Sequence, residues 1–328
     1  MPFRIAFAGT GYISKIHAKA ACNCGAELVA VVNHRPGSMA VFAAQFGIPR
    51  QYEMVEMLLR DGGVDALVVG TPNYLHASQT ITALKAGVHV MVEKPMAMNA
   101  KEAEKMIETS QKSKALLMVA HCWRFDKDVL WLKSQVGKLG KIIRTKGYGV
   151  HVNWGPSGWF TQRKLAGGGA LADMGIHALD TTRFLLGDPK PVSVYAHIGM
   201  YYKDLDLDDT GVILVNWDNG AVSYIESGWW QPHADGPEAC TQLYGTKGFG
   251  QLFPTGLRLG RKVIDPRFPF PRREHCPQTM YDDQMTHFIK CIRTGKMPVP
   301  GGAEGLTNMR VVDAAYESAK TGKIVQIK

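Results

Sequence analysis

The sequence predicts an α/β protein with two domains, and two patterns carry this prediction. Over the first 120 residues, short apolar runs alternate with amphipathic stretches, which is typical of a parallel, doubly wound sheet with helices on both faces. After about residue 121, longer runs of alternating polarity are separated by turn sequences, which indicates antiparallel hairpins. Since 328 residues suffice for two cores, we expect domains at 1–121 and 122–328, with the last helix able to pack back on the first domain.

Each predicted element has a local signal. Apolar, β-branched runs predict buried strands in the first domain at Ile5–Ala8, Leu28–Val32, Ala66–Val69, Val88–Val92 and Leu116–Ala120. Amphipathic spacing predicts helices at Lys15–Cys22, Met39–Phe46, Met54–Arg60, Ser78–Ala86 and Lys101–Lys112. In the second domain a helix is predicted at 170–186, followed by strands at Val192–His197, Thr210–Trp217, Ala221–Ser227 and Cys240–Tyr244. A proline-rich stretch at 253–278 predicts a long surface loop, and helices near Asp282–Thr294 and Glu304–Ala319 close the chain.

The composition excludes several classes of protein. A hydrophobic share of 45% and a charged share of 20% are those of a soluble globular protein. No apolar run approaches the roughly 20 residues that cross a bilayer. The N-terminal apolar run ends in a glycine turn, which predicts a strand rather than a signal peptide. We therefore expect a cytoplasmic protein that does not associate with a membrane.

Neither the cysteines nor the charge favours a metal or a nucleic acid. The six cysteines are scattered, and the close pair Cys22 and Cys24 has no further ligands beside it, so buried free thiols and no metal site are expected. The formal net charge of +9 would suit an anionic ligand such as a phosphorylated cofactor, or a nucleic acid. Because lysines and arginines are spread along the chain, a solvated basic surface is favoured over a nucleic-acid groove.

A glycine-rich turn follows the first predicted strand. Gly9-Thr10-Gly11-Tyr12-Ile13-Ser14 has the G-x-G-x-x-small pattern and opens the first predicted helix. The first glycine makes the turn, the second lets the backbone approach a pyrophosphate, and the small residue lets helix and strand pack closely. The helix N-terminus then stabilises the phosphate charge. This context predicts a dinucleotide-binding site, and an incidental glycine turn is the alternative.

The end of the second predicted strand bears on the choice of cofactor. An NAD-specific site usually has an acidic residue there to bind the ribose 2′-hydroxyl, whereas this chain has Asn33-His34-Arg35. A 2′-phosphate would be tolerated, and Arg35 could pair with it. We therefore expect NADP or NAD as the cofactor, with a preference for NADP. The alternative is that His34 and Arg35 are ordinary loop residues.

Two polar motifs follow later strands of the first domain. Thr71-Pro72-Asn73-Tyr74-Leu75-His76 comes after the third predicted strand, and Glu93-Lys94-Pro95 comes after the fourth. Open α/β sheets bind ligands at the carboxyl ends of their strands. Pro95 disfavours helical geometry at Lys94, so the ammonium group could project over this crevice. A partly desolvated lysine can act as an acid, a base or a hydrogen-bond donor to a substrate hydroxyl.

A third polar motif lies in the second domain. Gly167-Gly168-Gly169 leads into the helix predicted at 170–186, which carries Asp173 and His177. The i, i+4 spacing places both side chains on one face, and the glycines would let a ligand approach the first turn. A carboxylate and an imidazole on one face can handle protons. The alternative is a surface helix whose two side chains only face water.

Taken together, the motifs resemble those of the Gfo/Idh/MocA family, the relatives of glucose–fructose oxidoreductase and inositol dehydrogenase. The resemblance spans almost the whole chain and keeps the motifs in family order, at 9–13, 71–76, 93–95, 121–125, 167–180 and 314–323. It implies a pyridine-nucleotide oxidoreductase acting on sugars, polyols or related carbonyl compounds. The implied architecture is a Rossmann dinucleotide-binding domain followed by an α/β domain with a large, mostly antiparallel open sheet. That sheet is expected to mediate a homodimer or a homotetramer.

The resemblance assigns Lys94, Asp173 and His177 to a catalytic group. We expect His177 to act as the acid–base residue, Lys94 to bind the same substrate oxygen, and Asp173 to orient the substrate or His177. Arg124 and Trp159 are expected to bind substrate with Asp173 and His177, although Arg124 could equally form a structural ion pair and Trp159 could belong to the core or an interface. The expected cofactor-binding residues are Gly9, Gly11, Tyr12, Ile13, Asn33, His34, Arg35, Thr71, Pro72, Asn73, His76, Glu93 and Lys94.

Three alternative functions stay open at this point. A glycoside hydrolase could use tightly bound NAD for transient oxidation, and a dihydrodiol-type or other non-sugar dehydrogenase would differ only in substrate. A cofactor-sensing regulator would keep the fold and lose the catalysis. The intact set of Lys94, Asp173 and His177 argues against the regulator, because a sensor has no chemical need for it.

Overall fold

The computed structural model of the protein describes residues 2–234, 237–265 and 276–327. The chain divides into two compact units. The first consists of residues 1–122 and 276–306, and the second of residues 123–275 and 307–328. The first unit therefore includes a C-terminal segment, 276–306, that the sequence-based division at residue 121 places in the second domain.

The first unit contains, in its described part, a six-stranded parallel sheet with the strand order β3-β2-β1-β4-β5-β6. Its strands are β1 (Arg4–Ala8), β2 (Glu27–Val32), β3 (Arg50–Tyr52), β4 (Ala66–Val69), β5 (His89–Val92) and β6 (Leu117–Val119). Its helices are α1 (Tyr12–Asn23), α2 (Pro36–Phe46), α3 (Val55–Asp61), α4 (His76–Lys85), α5 (Ala100–Ser113) and α9 (Gln278–Thr294). The order reverses between β1 and β4, so the loops after these strands diverge and open a crevice at their carboxyl ends.

Five of these six strands are predicted from the sequence, and β3 is missed. The buried strands β1, β2, β4 and β5 are almost continuous apolar runs, as expected for a sheet that is covered on both faces. Strand β3 lies at the sheet edge and none of its residues is fully buried. An Arg-Gln-Tyr sequence at an edge has no apolar run by which it could be recognised.

Contacts between α9 and α1 explain why residues 276–306 belong to the first unit. The Gln278 side-chain amide donates to the main-chain oxygen of Ile16 at 3.2 Å, and the Asn23 amide donates to Asp282 at 2.9 Å. The buried face of α9 includes Met285, which has no exposed area. The predicted helix at 282–294 thus exists, but it packs within the first unit rather than in the second one.

The second unit contains, within the described residues, a nine-stranded sheet with the order β14-β13-β12-β11-β7-β10-β9-β8-β15. Its strands are β7 (Ile142–Val152), β8 (Pro191–Gly199), β9 (Thr210–Trp217), β10 (Val222–Gln231), β11 (Ala239–Gly245), β12 (Gly248–Leu252), β13 (Gly256–Leu259), β14 (Lys262–Ile264) and β15 (Val325–Gln326). Its helices are α6 (Lys127–Gln135), α7 (Arg163–Ala166), α8 (Ile176–Leu185) and α10 (Gly302–Thr321), the last beginning in the first unit.

This sheet is mostly antiparallel, as predicted, with one exception at its centre. The predicted strands at 210–217 and 221–227 form the hairpin β9–β10, and β11 forms a further hairpin with β12. By contrast, β7 and β10 are parallel neighbours. The sequence prediction misses β7, because Gly147 and Gly149 interrupt its alternation. Residues 253–278 are expected to form a loop, but β13 and β14 make a further hairpin there. The rest of that prediction, at 266–275, lies outside the described residues.

The helix predicted at 170–186 is not one regular helix. Residues Leu171–Gly175 form a π turn, and only Ile176–Leu185 are α-helical. Insertions of this kind widen a turn and often occur at functional sites. The sequence argument that places Asp173 and His177 on one face assumes the 3.6-residue period, which does not apply to this first turn.

Among the described helices, none combines the length and the apolarity that crossing a bilayer requires. In the same residues, no three or more His, Cys, Asp or Glu side chains are grouped so that they could hold a metal ion.

Candidate active site

The predicted nucleotide turn lies between β1 and α1 and packs directly on the end of β4. Gly9 has φ +98°, in the region that favours glycine. A Cβ atom on Gly9 would lie 2.5 Å from the carbonyl oxygen of Gly70, the residue that follows β4. The Gly9 N–H donates to Val32 at the end of β2 at 2.9 Å. The turn is therefore held against both neighbouring strand ends.

The N-terminus of α1 presents its backbone N–H groups to open space. Gly11 is its N-cap residue, and no side chain in the described part of the chain caps this end. A Cβ atom on Gly11 would meet no described atom within 4 Å, and the Tyr12 side chain is 82% exposed. The first turn carries no acidic residue. A pyrophosphate fits these features, because the exposed N–H groups and the helix dipole both favour a negative charge.

Of the three residues that follow β2, Asn33 makes hydrogen bonds within the unit, whereas His34 and Arg35 have exposed side chains. The Asn33 amide donates to the Thr10 hydroxyl, and its oxygen accepts from the Arg35 N–H at 3.2 Å. Asn33 thus ties the end of β2 to the glycine turn. His34 and Arg35 are exposed. Their side chains can reach a ligand without first breaking a buried contact.

His76 supports the loop after β4. It is buried, with Nε2 2.8 Å from the carbonyl oxygen of Thr71 and Nδ1 2.8 Å from that of Pro95. Burial lowers the pKa of His76, and the two carbonyl groups offset part of this effect. Both ring nitrogens are engaged within the unit, so His76 braces the loops that follow β4 and β5. This is a different role from the direct cofactor contact that the sequence suggests.

Glu93 has a similar bracing role beneath Lys94. Its Oε1 lies 2.6 Å from Nε2 of His17 on α1, and its Oε2 accepts the Lys94 backbone N–H at 3.2 Å. Burial by itself would raise the pKa of Glu93, but the hydrogen bond and charge of His17, followed by Lys94 and His76, bring it below its ordinary value. The ionised carboxylate anchors the segment that carries Lys94, whose side chain is half-buried. No sequence motif singles out His17.

The glycine run in the second unit is clamped by two residues that lie far away in the sequence. The Asp208 carboxylate accepts the Gly169 N–H at 2.9 Å and the Leu171 N–H at 2.8 Å. The Tyr316 hydroxyl donates to Asp208 at 2.8 Å and accepts from Gly169 at 3.1 Å. We call Asp208 and Tyr316 the clamp. Burial raises the pKa of Asp208, and its hydrogen bonds offset part of that rise.

The clamp explains why glycines occur here. A Cβ atom on Gly168 would lie 2.3 Å from the Tyr316 hydroxyl, and one on Gly169 would lie 1.8 Å from the main-chain oxygen of Asp208. The sequence predicts that a ligand uses this space. In the structure it is the clamp that occupies it, so the glycines serve to hold the start of the π turn.

Asp173 and His177 each contact an indole ring within the second unit. Asp173, in the π turn, accepts a hydrogen bond from Nε1 of Trp229 at 3.1 Å. The His177 imidazole stacks on Trp123 with ring centroids 4.8 Å apart and an interplanar angle of 17°. Both polar side chains are half-buried. They are therefore held in place, which a pair of side chains merely facing water would not be.

Arg124 forms a structural ion pair, which is the alternative to substrate binding. Its guanidinium is buried and makes two hydrogen bonds of 2.8 Å to Asp180. It also donates to Asp188 at 2.7 and 3.1 Å. Burial would lower the pKa of Arg124, but the two carboxylates raise it above its ordinary value. A donor set occupied in this way does not suit a substrate contact, so the predicted substrate role of Arg124 is not supported.

Trp159 lies beside other aromatic rings. Its ring stacks on Phe160 with centroids 3.9 Å apart, and both side chains are half-buried. Nearby in the sequence, Trp154 stacks on His151 at 3.6 Å and donates its indole N–H to Glu238 at 2.6 Å. The Trp159 face that Phe160 covers is not available to a sugar ring. Its assignment as a substrate residue stays a prediction.

The fold of the first unit and its glycine turn define a class of dinucleotide-binding proteins, those with the Rossmann strand order. Residues 3–121 match the family model described as "Oxidoreductase family, NAD-binding Rossmann fold", and residues 134–249 match the "GFO/IDH/MocA C-terminal domain". The chain belongs to the GFO/IDH/MocA family of oxidoreductases, which confirms the resemblance stated from its motifs.

Individual relatives align over almost the whole chain. D-glucoside 3-dehydrogenase from Escherichia coli is 29% identical over 99% of this chain and 98% of its own length. The scyllo-inositol 2-dehydrogenase (NAD(+)) of Bacillus subtilis is 28% identical over 99% of this chain and 96% of its own. The crystal structure of aldose-aldose oxidoreductase from Caulobacter crescentus, complexed with glycerol, superposes with a TM-score of 0.87 at 29% identity and covers both chains completely.

The clamp makes a testable prediction at Gly169. Gly169→Ala places a methyl group against the Asp208 backbone, and we expect the free energy of unfolding in urea to fall by about 3 kcal/mol. Gly37→Ala is the matched control, because no described atom lies within 4 Å of the added Cβ. Since Gly37 lies in α2, its replacement should be neutral or stabilising by up to about 1 kcal/mol. Equal stability of the two variants would contradict the clamp.

Proposed function

We propose that this protein is a dehydrogenase that transfers a hydride between a nicotinamide cofactor and a hydroxyl-bearing carbon of a sugar, an inositol or a related polyol. The observation that carries the proposal is that indole rings contact both Asp173, in the clamped π turn, and His177, in the helix that follows it. These residues belong to a chain whose first unit is an NAD-binding Rossmann domain. The names of the aligned relatives support the substrate class, because they are sugar and inositol oxidoreductases.

In this proposal, Lys94, Asp173 and His177 form the catalytic group. His177 removes the proton from the substrate hydroxyl during oxidation and returns it during reduction. The Lys94 ammonium donates a hydrogen bond to the same oxygen and stabilises its developing negative charge. Asp173 orients the substrate or the imidazole. The support for Lys94 is its position after β5 on a segment that Glu93 anchors.

The cofactor would be bound at the ends of the strands of the first unit. Gly9, Gly11, Tyr12 and Ile13 would hold the pyrophosphate, and Asn33, His34 and Arg35 would line the ribose. Thr71, Pro72 and Asn73 would border the site after β4. When bound, the nicotinamide supplies the centre that accepts or donates the hydride. His76 and Glu93 would support the loops rather than contact the cofactor, because their polar atoms are engaged within the unit.

We further propose a preference for NADP. The support is the exposed pair His34 and Arg35, together with the lack of an acidic residue at 33–35. The Bacillus relative is named as an NAD(+) enzyme. The proposal therefore rests on the residues of this chain and not on its relatives.

We also propose that the exposed face of the second unit's sheet mediates a homodimer or homotetramer. Val192, Tyr195, Leu214 and Val222 lie on three neighbouring strands and are 36–42% exposed. Tyr195 and Leu214 are directly paired across β8 and β9. An apolar, cross-strand surface of this kind favours association with a second copy of the chain.

Lys94→Ala tests the catalytic assignment. With the best substrate from a panel of sugars, inositols and sugar phosphates, we expect kcat to fall by about a hundredfold or more, because a donor to the developing charge is lost. The dissociation constant of the cofactor should change little. Turnover is followed at the absorbance of the reduced nicotinamide. Lys85→Ala, an exposed lysine on α4, is the control.

Two outcomes would contradict this proposal. An unchanged kcat in Lys94→Ala would remove Lys94 from the catalytic group. Cleavage of an aryl glycoside without a net change in NAD(P)H, by protein that retains its cofactor through purification, would replace the dehydrogenase by a glycoside hydrolase.

Arg35→Ser tests the cofactor preference. We expect the KM for NADP to rise at least tenfold while the KM for NAD changes little, because a charged hydrogen bond to the 2′-phosphate contributes about 1.5–3 kcal/mol. Arg60→Ser, on α3, provides a matched arginine control. The ratio of kcat/KM values for the two cofactors is the measurement. A strong preference of the unaltered protein for NADH would overturn the NADP proposal.

Leu214→Asp tests the oligomer. We expect the molar mass measured by light scattering after size exclusion to fall to that of one chain, because a charge would be buried in the centre of the interface. Val41→Asp changes an exposed apolar residue on α2 and should leave the mass unaltered. A single-chain mass for the unaltered protein would exclude the proposed assembly.

A further inference from the structure

We propose that Trp229 is a positioning residue that fixes the Asp173 carboxylate through its indole N–H. The inference rests on the proposed function, in which Asp173 belongs to the catalytic group. It extends that function to a residue of the sheet which has no chemistry of its own to offer in a hydride transfer.

The contact has the geometry of a positioning hydrogen bond. Nε1 of Trp229 lies 3.1 Å from Oδ2 of Asp173. Trp229 has no exposed area, so its ring cannot swing away from the carboxylate without opening the core. A buried indole N–H without an acceptor would be costly, and Asp173 is the acceptor found. The buried tryptophan ring therefore fixes the position of the hydrogen bond to Asp173.

The strand that carries Trp229 is itself fixed at this point. Along β10, Ser223, Ile225, Ser227 and Trp229 alternate onto the buried face of the sheet. The Trp229 backbone N–H donates to Asp209 at 2.7 Å, and that of Trp230 donates to Trp154 at 2.7 Å. The pairing with β7 is irregular between Gly228 and Gln231, and Trp230 has φ +53°.

The backbone conformation of Trp230 costs conformational energy. A tryptophan in the left-handed region is strained, and β-bulges near active sites commonly aim a side chain. Here the regular pairing with β7 stops at Gly228 and resumes at Gln231, so Trp229 and Trp230 are the two residues of the bulge.

The π turn packs closely enough on the sheet for Asp173 to accept a hydrogen bond from the Trp229 indole. A Cβ atom on Gly149 of β7 would lie 2.6 Å from the carbonyl oxygen of Met174. Gly149 therefore lets the backbone of the π turn rest on the sheet next to Asp173. A larger residue at 149 would clash with this backbone, which directly follows Asp173.

The chemistry of the donor distinguishes this role from catalysis. An indole N–H can donate but cannot accept a hydrogen bond. Trp229 can therefore orient the carboxylate but cannot exchange a proton with it. It leaves proton transfer to His177, whose ring is stacked on a different tryptophan, Trp123.

Trp229→Phe tests the proposal, with Trp217→Phe as the matched control. Trp217 is also buried in this sheet and donates its indole N–H to Ser223 at 2.7 Å, but it does not contact the catalytic group proposed above. We expect Trp229→Phe to lower kcat by about 10- to 100-fold, the loss equivalent to one charged hydrogen bond. The KM for the cofactor should not change, and Trp217→Phe should keep its kcat within about threefold.

A double-mutant cycle separates positioning from a general loss of structure. In an Asp173→Ala background, Trp229→Phe should cause no further loss of kcat, because the residue through which it acts is gone. If Trp229→Phe does not fold, benzothienylalanine at position 229 replaces the N–H by sulfur with nearly unchanged ring shape, and the same 10- to 100-fold loss is expected.

Three results would overturn the inference. The first is a kcat for the Trp229 variant equal to that of Trp217→Phe. The second is an equally large further loss in the Asp173→Ala background, which would indicate a structural role. The third is the absence of any dehydrogenase turnover in the unaltered protein, and this outcome alone would also overturn the proposed function.

Discussion

The second unit depends on one buried carboxylate, that of Asp208, which caps the start of a helix far from it in the sequence. A helix start has backbone N–H groups without partners inside the helix, and a nearby Ser, Thr, Asp or Asn usually accepts them. At residues 167–171 no such side chain is available in the sequence. Asp208 supplies both carboxylate oxygens from the approach to β9, and Tyr316 completes the set from α10. Asp173 and His177 lie in the turn and helix that begin at this capped end.

A second buried carboxylate has the corresponding task in the first unit. Glu93 accepts the backbone N–H of Lys94 and faces His17. The electrostatic outcomes differ. Burial dominates at Asp208 and raises its pKa, whereas the hydrogen bond to His17 and the electrostatic effects of His17, Lys94 and His76 outweigh burial at Glu93 and lower its pKa. Each proposed catalytic segment is therefore anchored through its backbone, which leaves the side chains of Lys94 and Asp173 to the chemistry.

Sequence reasoning succeeds where the signal is local. The glycine turn, the buried strands β1, β2, β4 and β5 and the hairpin turns are all encoded within a few residues, and the short motifs alone are enough to identify the family. It fails where partners are distant. Gly169 and Asp208 are 39 positions apart, and Gly169 and Tyr316 are 147 apart. No periodicity shows that the glycine run is shaped by those two side chains, or that the N–H of Trp229 is directed at Asp173. The motif at Arg124 is visible in the sequence, but only its burial between Asp180 and Asp188 decides between the two roles.

The distance between the glycine run and Tyr316 has a consequence for how the chain is made. The N-terminus of a protein leaves the ribosome first, and domains generally fold as they emerge. When residues 167–180 leave the tunnel, Asp208 has not yet appeared, and Tyr316 follows 147 positions after Gly169. The nucleotide turn at 9–14 and its strand neighbours can form much earlier. A nascent chain can therefore form its glycine turn well before the clamp exists, and the turn that carries Asp173 is held in place only after Tyr316 has been synthesised.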